Sequence, residues 1–430
     1  MSILIVGATT LDRLLHVTQY PTADSKTSCT TYESGGGNAA NTASALARLQ
    51  IQPHLKGSAV KLLSKVSNDQ TGDVLVKELQ DYGVDLSCPL FLRSYGTNSV
   101  VTVVVTNSPP HTRTCFFDAG TVGTLTLSDL RNINLDVVFE NATHLHSDTR
   151  HTEVALHLVR AAKYQQSVPI AISVDVERDR LTKDFDELID LSDIIFTNEL
   201  LMLPILTRRL GYNPFDSIKC DERKFCFHLN VAMLCYCLRF TATSDSSSIG
   251  TSKELIVTRG ELGAIRCVMV VPLGWKESNG PSIHETNKLL THTMVATQAS
   301  NSIIRIAHTV QQLLPENAMI NSVIPIQQYE YIIHTVGPPK VAKIVDTTGA
   351  GDAFIAGYIF SKNYLSRANV SEDADTILNL QFASWVAGKK LAGAGARKAL
   401  PTWEEVRKEL GSNVEEMSDS LRKLMPDSGI

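Results

Sequence analysis

No two cysteines in this 430-residue chain stand at Cys-x-x-Cys spacing; the eight (Cys29, Cys88, Cys115, Cys220, Cys226, Cys235, Cys237, Cys267) are scattered. Zinc-ligand spacing is therefore absent, and in so long a chain reduced thiols are expected rather than a disulfide framework. No apolar run reaches the roughly 18 residues of a membrane span. No basic leader precedes the strand-like start Met1–Gly7, so the protein is expected in the cytosol, where the sequon Asn141-Ala142-Thr143 would stay unmodified. A net charge of -5 lacks the basic excess that nucleic acid or an anionic membrane would require of a partner. Gly7-Ala8-Thr9-Thr10 lacks the Gly-x-Gly-x-x-Gly fingerprint, which argues against a dinucleotide-binding dehydrogenase. With 43% apolar and 20% charged residues, the composition is that of a globular protein with ample core.

What the chain does have is a glycine turn near its C-terminal end, Asp346-Thr347-Thr348-Gly349-Ala350-Gly351-Asp352. The segment Lys340–Val345 before it reads as extended, and Ala353–Phe360 after it as the start of a buried helix. At such a strand-to-helix turn backbone N–H groups converge on an anion, and the helix N-terminus adds about half a positive charge. A carboxylate there repels the charge the turn is built to hold. Asp352 therefore reads either as a base, taking a proton from a hydroxyl that attacks a phosphoryl group, or as a plain helix cap.

Near the other end, Glu33-Ser34-Gly35-Gly36-Gly37-Asn38-Ala39-Ala40-Asn41 sets three glycines before a helix. Asn38 and Asn41, three apart, face one side with both donors and acceptors, which suits a polyhydroxylated ligand. Asp12 follows the short apolar strand Ile3–Val6, where ligands sit at the carboxyl edge of open α/β sheets, or else caps a turn. Tyr20–Tyr32 reads as an exposed strand or hairpin. Ser99–Val105 and Thr112–Phe117 read as a hairpin about Asn107-Ser108-Pro109-Pro110, with Arg113 either aimed at a ligand or solvated. Strands at Ala142–His146, Ile170–Asp175 and Ile194–Phe196 alternate with helices at Glu153–Gln165 and Asp184–Ile189, which implies a parallel sheet with right-handed crossovers. His144, His146 and His151 match no closed metal site and read as core or surface histidines. Pro204–Ser252 is less regular, with a charged stretch at Lys219–Lys224, a helix candidate at Phe227–Phe240 and a serine-rich loop. Glu254–Gly260 and Gly263–Val268 resume the sheet, and Trp275–Glu330 reads as a polar insertion of mixed helical content. Ala374–Leu391 reads as a helix, and Thr402 with its acidic followers opens another.

Together the two glycine stretches, in this order, resemble the pfkB or ribokinase family of small-molecule kinases. The resemblance runs from Ile3 to about Val406. Within the family, Gly37-Asn38-Ala39-Ala40-Asn41, Thr112-Arg113-Thr114, Val174-Asp175-Val176-Glu177 and Val386-Ala387-Gly388-Lys389-Lys390 look most like ketohexokinase-type members. It implies an α/β fold, an α/β/α sandwich with a mostly parallel central sheet and a small β-sheet lid from segments near 14–34 and 98–118. One domain would span 1–406, with insertions near 208–252 and 275–330 and a C-terminal helix or tail at 407–430.

The resemblance also implies ATP-dependent phosphorylation of a hydroxymethyl group on a sugar or nucleoside. Asp352 would be the base and Gly349, Ala350 and Gly351 the anion hole. Asp12, Gly37, Asn38 and Asn41 would hold the acceptor, with Arg113 reaching in from the lid. Asn198, Thr258, Gly260 and Gly263 would line the nucleotide pocket, and Mg²⁺ would bridge phosphates largely through water. Many members bind K⁺ beside the anion hole, and Asp346, Thr348 and Gly395 match that loop. Two departures stand out: Asn198-Glu199-Leu200-Leu201 carries leucine where the family's Asn-x-x-Glu has glutamate, and Ala399 replaces a hydroxyl residue. These motivate an alternative, a catalytically impaired ligand-binding or regulatory protein on a kinase fold. The lid edge is also a candidate homodimer contact.

Overall fold

The structure, a computed structural model, describes residues 1–50, 59–107, 113–166, 168–176, 182–210, 228, 231–232, 234–235, 253–270, 290–299, 302–313, 323–365 and 370–425. In chain order the elements begin β1 (Ser2–Val6), β2 (Thr10–Val17), β3 (Thr30–Gly36), α1 (Asn38–Gln50), β4 (Ala59–Ser67), α2 (Gln70–Asp81) and β5 (Phe91–Ser94). There follow β6 (Val101–Asn107), β7 (Arg113–Asp118), α3 (Leu135–Val138), β8 (Ala142–Ser147), α4 (Thr152–Tyr164), β9 (Ala171–Val176), α5 (Lys183–Leu191), β10 (Ile194–Asn198) and α6 (Glu199–Leu210). The rest are β11 (Glu254–Thr258), β12 (Ala264–Val270), β13 (Leu290–Ala299), β14 (Ile303–Leu313), β15 (Val323–Val336), α7 (Ala350–Tyr364), α8 (Glu372–Lys390), α9 (Trp403–Leu410) and α10 (Val414–Leu424). Two compact units result, the first built from Met1–Ile172, Pro339–Val370 and Gln381–Leu424, the second chiefly from Ser173–Pro338 and Ser371–Leu380.

In the first unit β1 is buried along its whole length and pairs in parallel with β4 and β8, while β5 adds to β4. A strand covered on both faces is a continuous apolar run rather than an alternation, as Ile3–Val6 suggests. Nearly all of α1 is buried, which its alanine- and serine-rich sequence permits, and α7 is buried from Asp352 to Ser361. Phe360 of α7 stacks on Phe382 of α8 and tilts against Trp403, with ring centroids 5.7 and 5.6 Å apart. A separate four-stranded sheet runs in the order β3-β2-β6-β7 and contains the expected hairpin of β6 and β7. The turn residues Ser108, Pro109 and Pro110 lie outside the described residues.

In the second unit β9, β10 and β11 are parallel. The order then passes through β12, β15, β14 and β13 in antiparallel pairs. This corrects the reading of 275–330, whose described residues form strands. Leu290–Ala299 and Ile303–Leu313 are rich in β-branched threonine, valine and isoleucine, a β-preference that the polar character of the segment masks.

Three smaller expectations also change. The Tyr20–Tyr32 strand begins only at Thr30. Lys340–Val345 is not a strand, and Ile344 and Val345 are 61% and 48% exposed. Asp12 lies within β2 of the small sheet, not at the tip of the strand before it. The charged stretch Lys219–Lys224, the serine-rich loop and most of Phe227–Phe240 lie outside the described residues. α6 runs to Leu210 through Pro204. Cys29, Cys88, Cys115, Cys235 and Cys267 are free thiols.

The start of α9 is held by a reciprocal cap: Thr402 Oγ1 accepts from Glu405 N at 3.2 Å, and Glu405 Oε2 accepts from Thr402 N at 2.7 Å. Thr402→Ala should lower stability by about 1 kcal/mol, read as a reduced urea midpoint at unchanged slope. An unaltered midpoint would show that the cap contributes nothing.

Candidate active site

The two glycine stretches converge within the first unit. Asn41 Nδ2 donates to Asp352 Oδ2 at 2.8 Å, and Thr42 Oγ1 donates to the Asp352 carbonyl at 3.5 Å, linking α1 to α7 across some 310 residues of chain. Asn41 and Asp352 are both buried. The cap reading of Asp352 fails: the N-cap of α7 is Gly349, at φ +76°, and Asp352 sits three residues inside with its carboxylate turned to Asn41. At the same helix start Ala350 N donates to Thr347 O at 3.2 Å. The intrahelical ladder of α7 begins with Ala353 N donating to Gly349 O at 2.9 Å, and Gly351 N precedes it. A side chain placed on Gly351 would meet nothing within 4 Å, so the N-terminus of α7 opens onto free space beside a carboxylate.

The other stretch is shaped by close approach. At Gly37 the backbone is left-handed, φ +89°, and a Cβ there would lie 2.4 Å from the Ala8 carbonyl. At Gly36 a Cβ would lie 2.3 Å from the Asp12 carboxyl. Asp12 faces Ser34 across the antiparallel pair of β2 and β3. Its carboxyl, which accepts from Thr10 Oγ1 at 3.2 Å, is raised from 3.8 to about 6 by burial; Thr10 and Arg397 oppose the rise, and Asp346 and Glu78 add to it. Arg113 is not brought to this group by register: it pairs with Thr106 on β6, whereas Thr102, the β6 neighbour of Asp12, pairs with Phe117. Four residues of strand, about 13 Å, separate the two rows.

Asp346, Thr348 and Gly395 do come together. Asp346 Oδ1 accepts from Thr348 N at 2.9 Å and Oδ2 from Gly395 N at 2.8 Å. Burial works against the ionised Asp346 carboxyl, but these bonds and the Lys390 ammonium hold it below the usual carboxylate range. Lys390 itself is fully buried, donating to the carbonyls of Asp346 at 2.8 Å and Gly393 at 3.3 Å. Burial pushes its ammonium down to about 8 against the pull of Asp346 and Asp352. At this pair of loops the negative charge of Asp346 is thus offset by the buried Lys390 ammonium.

In the second unit Asn198 and Thr258 are register partners at the carboxyl ends of the parallel strands β10 and β11, the usual ligand edge of such a sheet. Gly260 and Gly263 follow in the turn, both at positive φ, 56° and 87°. Asn198 Oδ1 accepts from Leu201 N at 3.1 Å, and Glu199 pairs with Arg259 at 3.4 Å. Among the described residues no three His, Cys, Asp or Glu gather as a metal cluster. His144, His146 and His151 are buried, and His146 is pushed down to about 3 by its burial and by His144. No helix among the described residues is long and apolar enough to cross a membrane.

Three residues that sequence reasoning passed over shape the first-unit site. Asp148, fully buried, accepts from Ala8 N at 2.8 Å and Ala39 N at 3.2 Å through Oδ2, tying the end of β8 to the start of α1. Glu78 Oε2 accepts from Gly35 N at 2.7 Å. Arg397, with no exposed surface, donates to Asn41 Oδ1 at 2.9 Å and to the Gly36 carbonyl at 2.8 Å. The signal for Arg397 was a lone arginine beside the small-residue loop Gly393–Ala396, and for Asp148 a polar residue directly after a buried strand.

Residues 1–200 match the pfkB family of carbohydrate kinases. That match covers the first 200 of the chain's 430 residues. Its fold is similar to that of ribokinase from Giardia lamblia, at 18% identity and TM-score 0.61 over 98% of both chains. It is similar too to Arabidopsis thaliana ribokinase complexed with ribose and ATP, at 19% identity and TM-score 0.57 over 94% of this chain and 97% of that one. An ATP-dependent ribose-1-phosphate kinase of Halopiger xanaduensis is 26% identical over 216 residues, which span 49% of this chain and 66% of that relative. These likenesses agree with the α/β architecture and the small second sheet described above.

The raised Asp12 carboxyl has a consequence for stability. Its folded-state value, about 6, exceeds the unfolded 3.8, so the folded protein keeps the proton longer. Stability then falls as pH rises from about 4 to about 6, and the cost is fully present at pH 7. Asp12→Asn should gain on the order of 2 kcal/mol at pH 7 and little near pH 4. Thermal melts at both pH values check this; an equal shift at each would contradict it.

Proposed function

We propose that this chain is an ATP-dependent kinase that phosphorylates a hydroxymethyl group of a sugar or nucleoside. One observation carries the reading: the Asn41–Asp352 bond of 2.8 Å sets a buried carboxylate beside the open N-terminus of α7 and next to the polar start of α1. An Asp352 oxygen takes the proton of the acceptor hydroxyl as that oxygen attacks the outermost phosphorus of ATP and the bond to ADP breaks. Charge building on the transferring phosphoryl group is met by Gly349, Ala350 and Gly351 and by the helix N-terminus. Asp12, Gly37, Asn38 and Asn41 hold the acceptor's other hydroxyls, with Arg113 a more distant contributor on β7. The nucleotide lies along Asn198, Thr258, Gly260 and Gly263. Mg²⁺ would neutralise charge on the phosphates and would be held chiefly by them and by water. The relatives named for ribose, ribose 1-phosphate and nucleoside kinases support this acceptor class.

A second reading, a ligand-binding protein with impaired catalysis, is favoured by Leu201 in place of an acid and by Glu199 being engaged with Arg259. Calorimetry separates the two, since this reading requires sugar binding without ATP binding.

The kinase reading is tested by phosphate transfer from ATP to a panel of sugars, ribonucleosides and sugar 1-phosphates. Asp352→Asn should lower kcat by about 10²–10⁴-fold in a protein that still folds. Gly351→Ala meets no protein atom within 4 Å, so it should fold normally and lose turnover only by crowding the phosphoryl group. No transfer to any acceptor, or an Asp352→Asn protein as active as the wild type, would reject the proposal.

A further inference from the structure

Arg397 is an expensive residue to keep. A guanidinium with no exposed surface loses its hydration, and burial pulls its proton affinity down against the attraction of Glu78, Asp12, Tyr82 and Asp352. Space for it exists because residue 35 is glycine: a Cβ there would lie 2.1 Å from Nη1. The group is used directionally. Nε donates to Asn41 Oδ1 at 2.9 Å, Nη2 to the Gly36 carbonyl at 2.8 Å, and Nη1 faces Glu78 Oε1 at 3.6 Å.

The chemistry of these partners decides one thing more. A carboxamide can be turned about to exchange its oxygen and its NH₂, and nothing in its shape prefers either orientation. A guanidinium only donates, so it accepts only the orientation in which Asn41 shows it the oxygen. That leaves Nδ2, a donor, facing the Asp352 carboxylate, where the 2.8 Å bond is found. With Arg397 absent, Asn41 is free to present Oδ1 to Asp352, oxygen against oxygen.

We propose that Arg397 is the positioning residue of the proposed base: it fixes the orientation of the Asn41 carboxamide and, through it, the Asp352 carboxylate. Its second bond holds the Gly36 carbonyl, so the same guanidinium sets the glycine turn against which the acceptor lies. The proposal rests on the kinase reading for its effect on turnover, but not for its effect on Asn41.

The test uses the full-length chain with Arg397→Gln, Asn41→Ala, the double variant and Arg397→Met. Arg397→Gln should lower kcat by about 10–100-fold with KM for ATP within about twofold, since the loss is one of orientation rather than of nucleotide binding. In the Asn41→Ala background Arg397→Gln should cost no further kcat, because residues acting through one another are not additive. Independent, multiplying losses would overturn the proposal, since a merely structural role predicts them. A second readout needs no turnover: the side-chain amide protons of Asn41, followed by NMR hydrogen exchange, should exchange at least about tenfold faster in Arg397→Met, which offers no donor, than in the wild type. Unchanged exchange would overturn the proposal even if Arg397→Gln does not fold. A wild-type protein inactive on every acceptor, yet showing the faster exchange in the variant, would reject the kinase reading and leave the positioning role standing.

Discussion

One hydrogen bond organises the first unit, that from the Asn41 carboxamide to the Asp352 carboxylate. It requires the N-terminal ends of two helices to meet, and helices come that close only through small residues. Alanines and serines on α1, and the glycine turn before α7, supply the necessary narrowness. The carboxylate then stands beside the positive end of its own helix, the juxtaposition on which the proposed kinase reading rests. Phosphoryl transfer to an alcohol needs both.

The same region concentrates charge that the interior tolerates poorly. Asp12, Lys390 and Arg397 are all buried, and burial shifts each toward its neutral form. Backbone groups soften the cost: the Gly36 carbonyl for Arg397, the carbonyls of Asp346 and Gly393 for Lys390. Residues chosen for stability alone would be apolar here. A site that keeps three such charges trades stability for the ability to recognise and react.

Sequence reasoning found the strands and helices that carry strong local patterns, because buried parallel strands and small-residue helices announce themselves in composition. It singled out Asp352, Asn41 and Asp12 because chemistry-bearing residues beside glycine turns stand out. It missed Arg397, Glu78 and Asp148, whose roles depend on contacts made across the fold: Arg397 lies 356 residues from Asn41 along the chain. It misread 275–330 because threonine and glutamine on a strand look like an exposed segment until the neighbouring strands are known. The register that sets Arg113 apart from Asp12 is likewise a property of pairing, which no single strand encodes.

The central claim concerns where an acceptor oxygen rests. The measurement that addresses it most directly is a crystal structure of the protein with a phosphorylatable sugar or nucleoside and a non-hydrolysable ATP analogue. The account requires the hydroxymethyl oxygen to lie within about 2.6–3.2 Å of an Asp352 carboxylate oxygen, on the open side of Gly351. An acceptor bound elsewhere, or one whose hydroxymethyl group points away from Asp352, would contradict it.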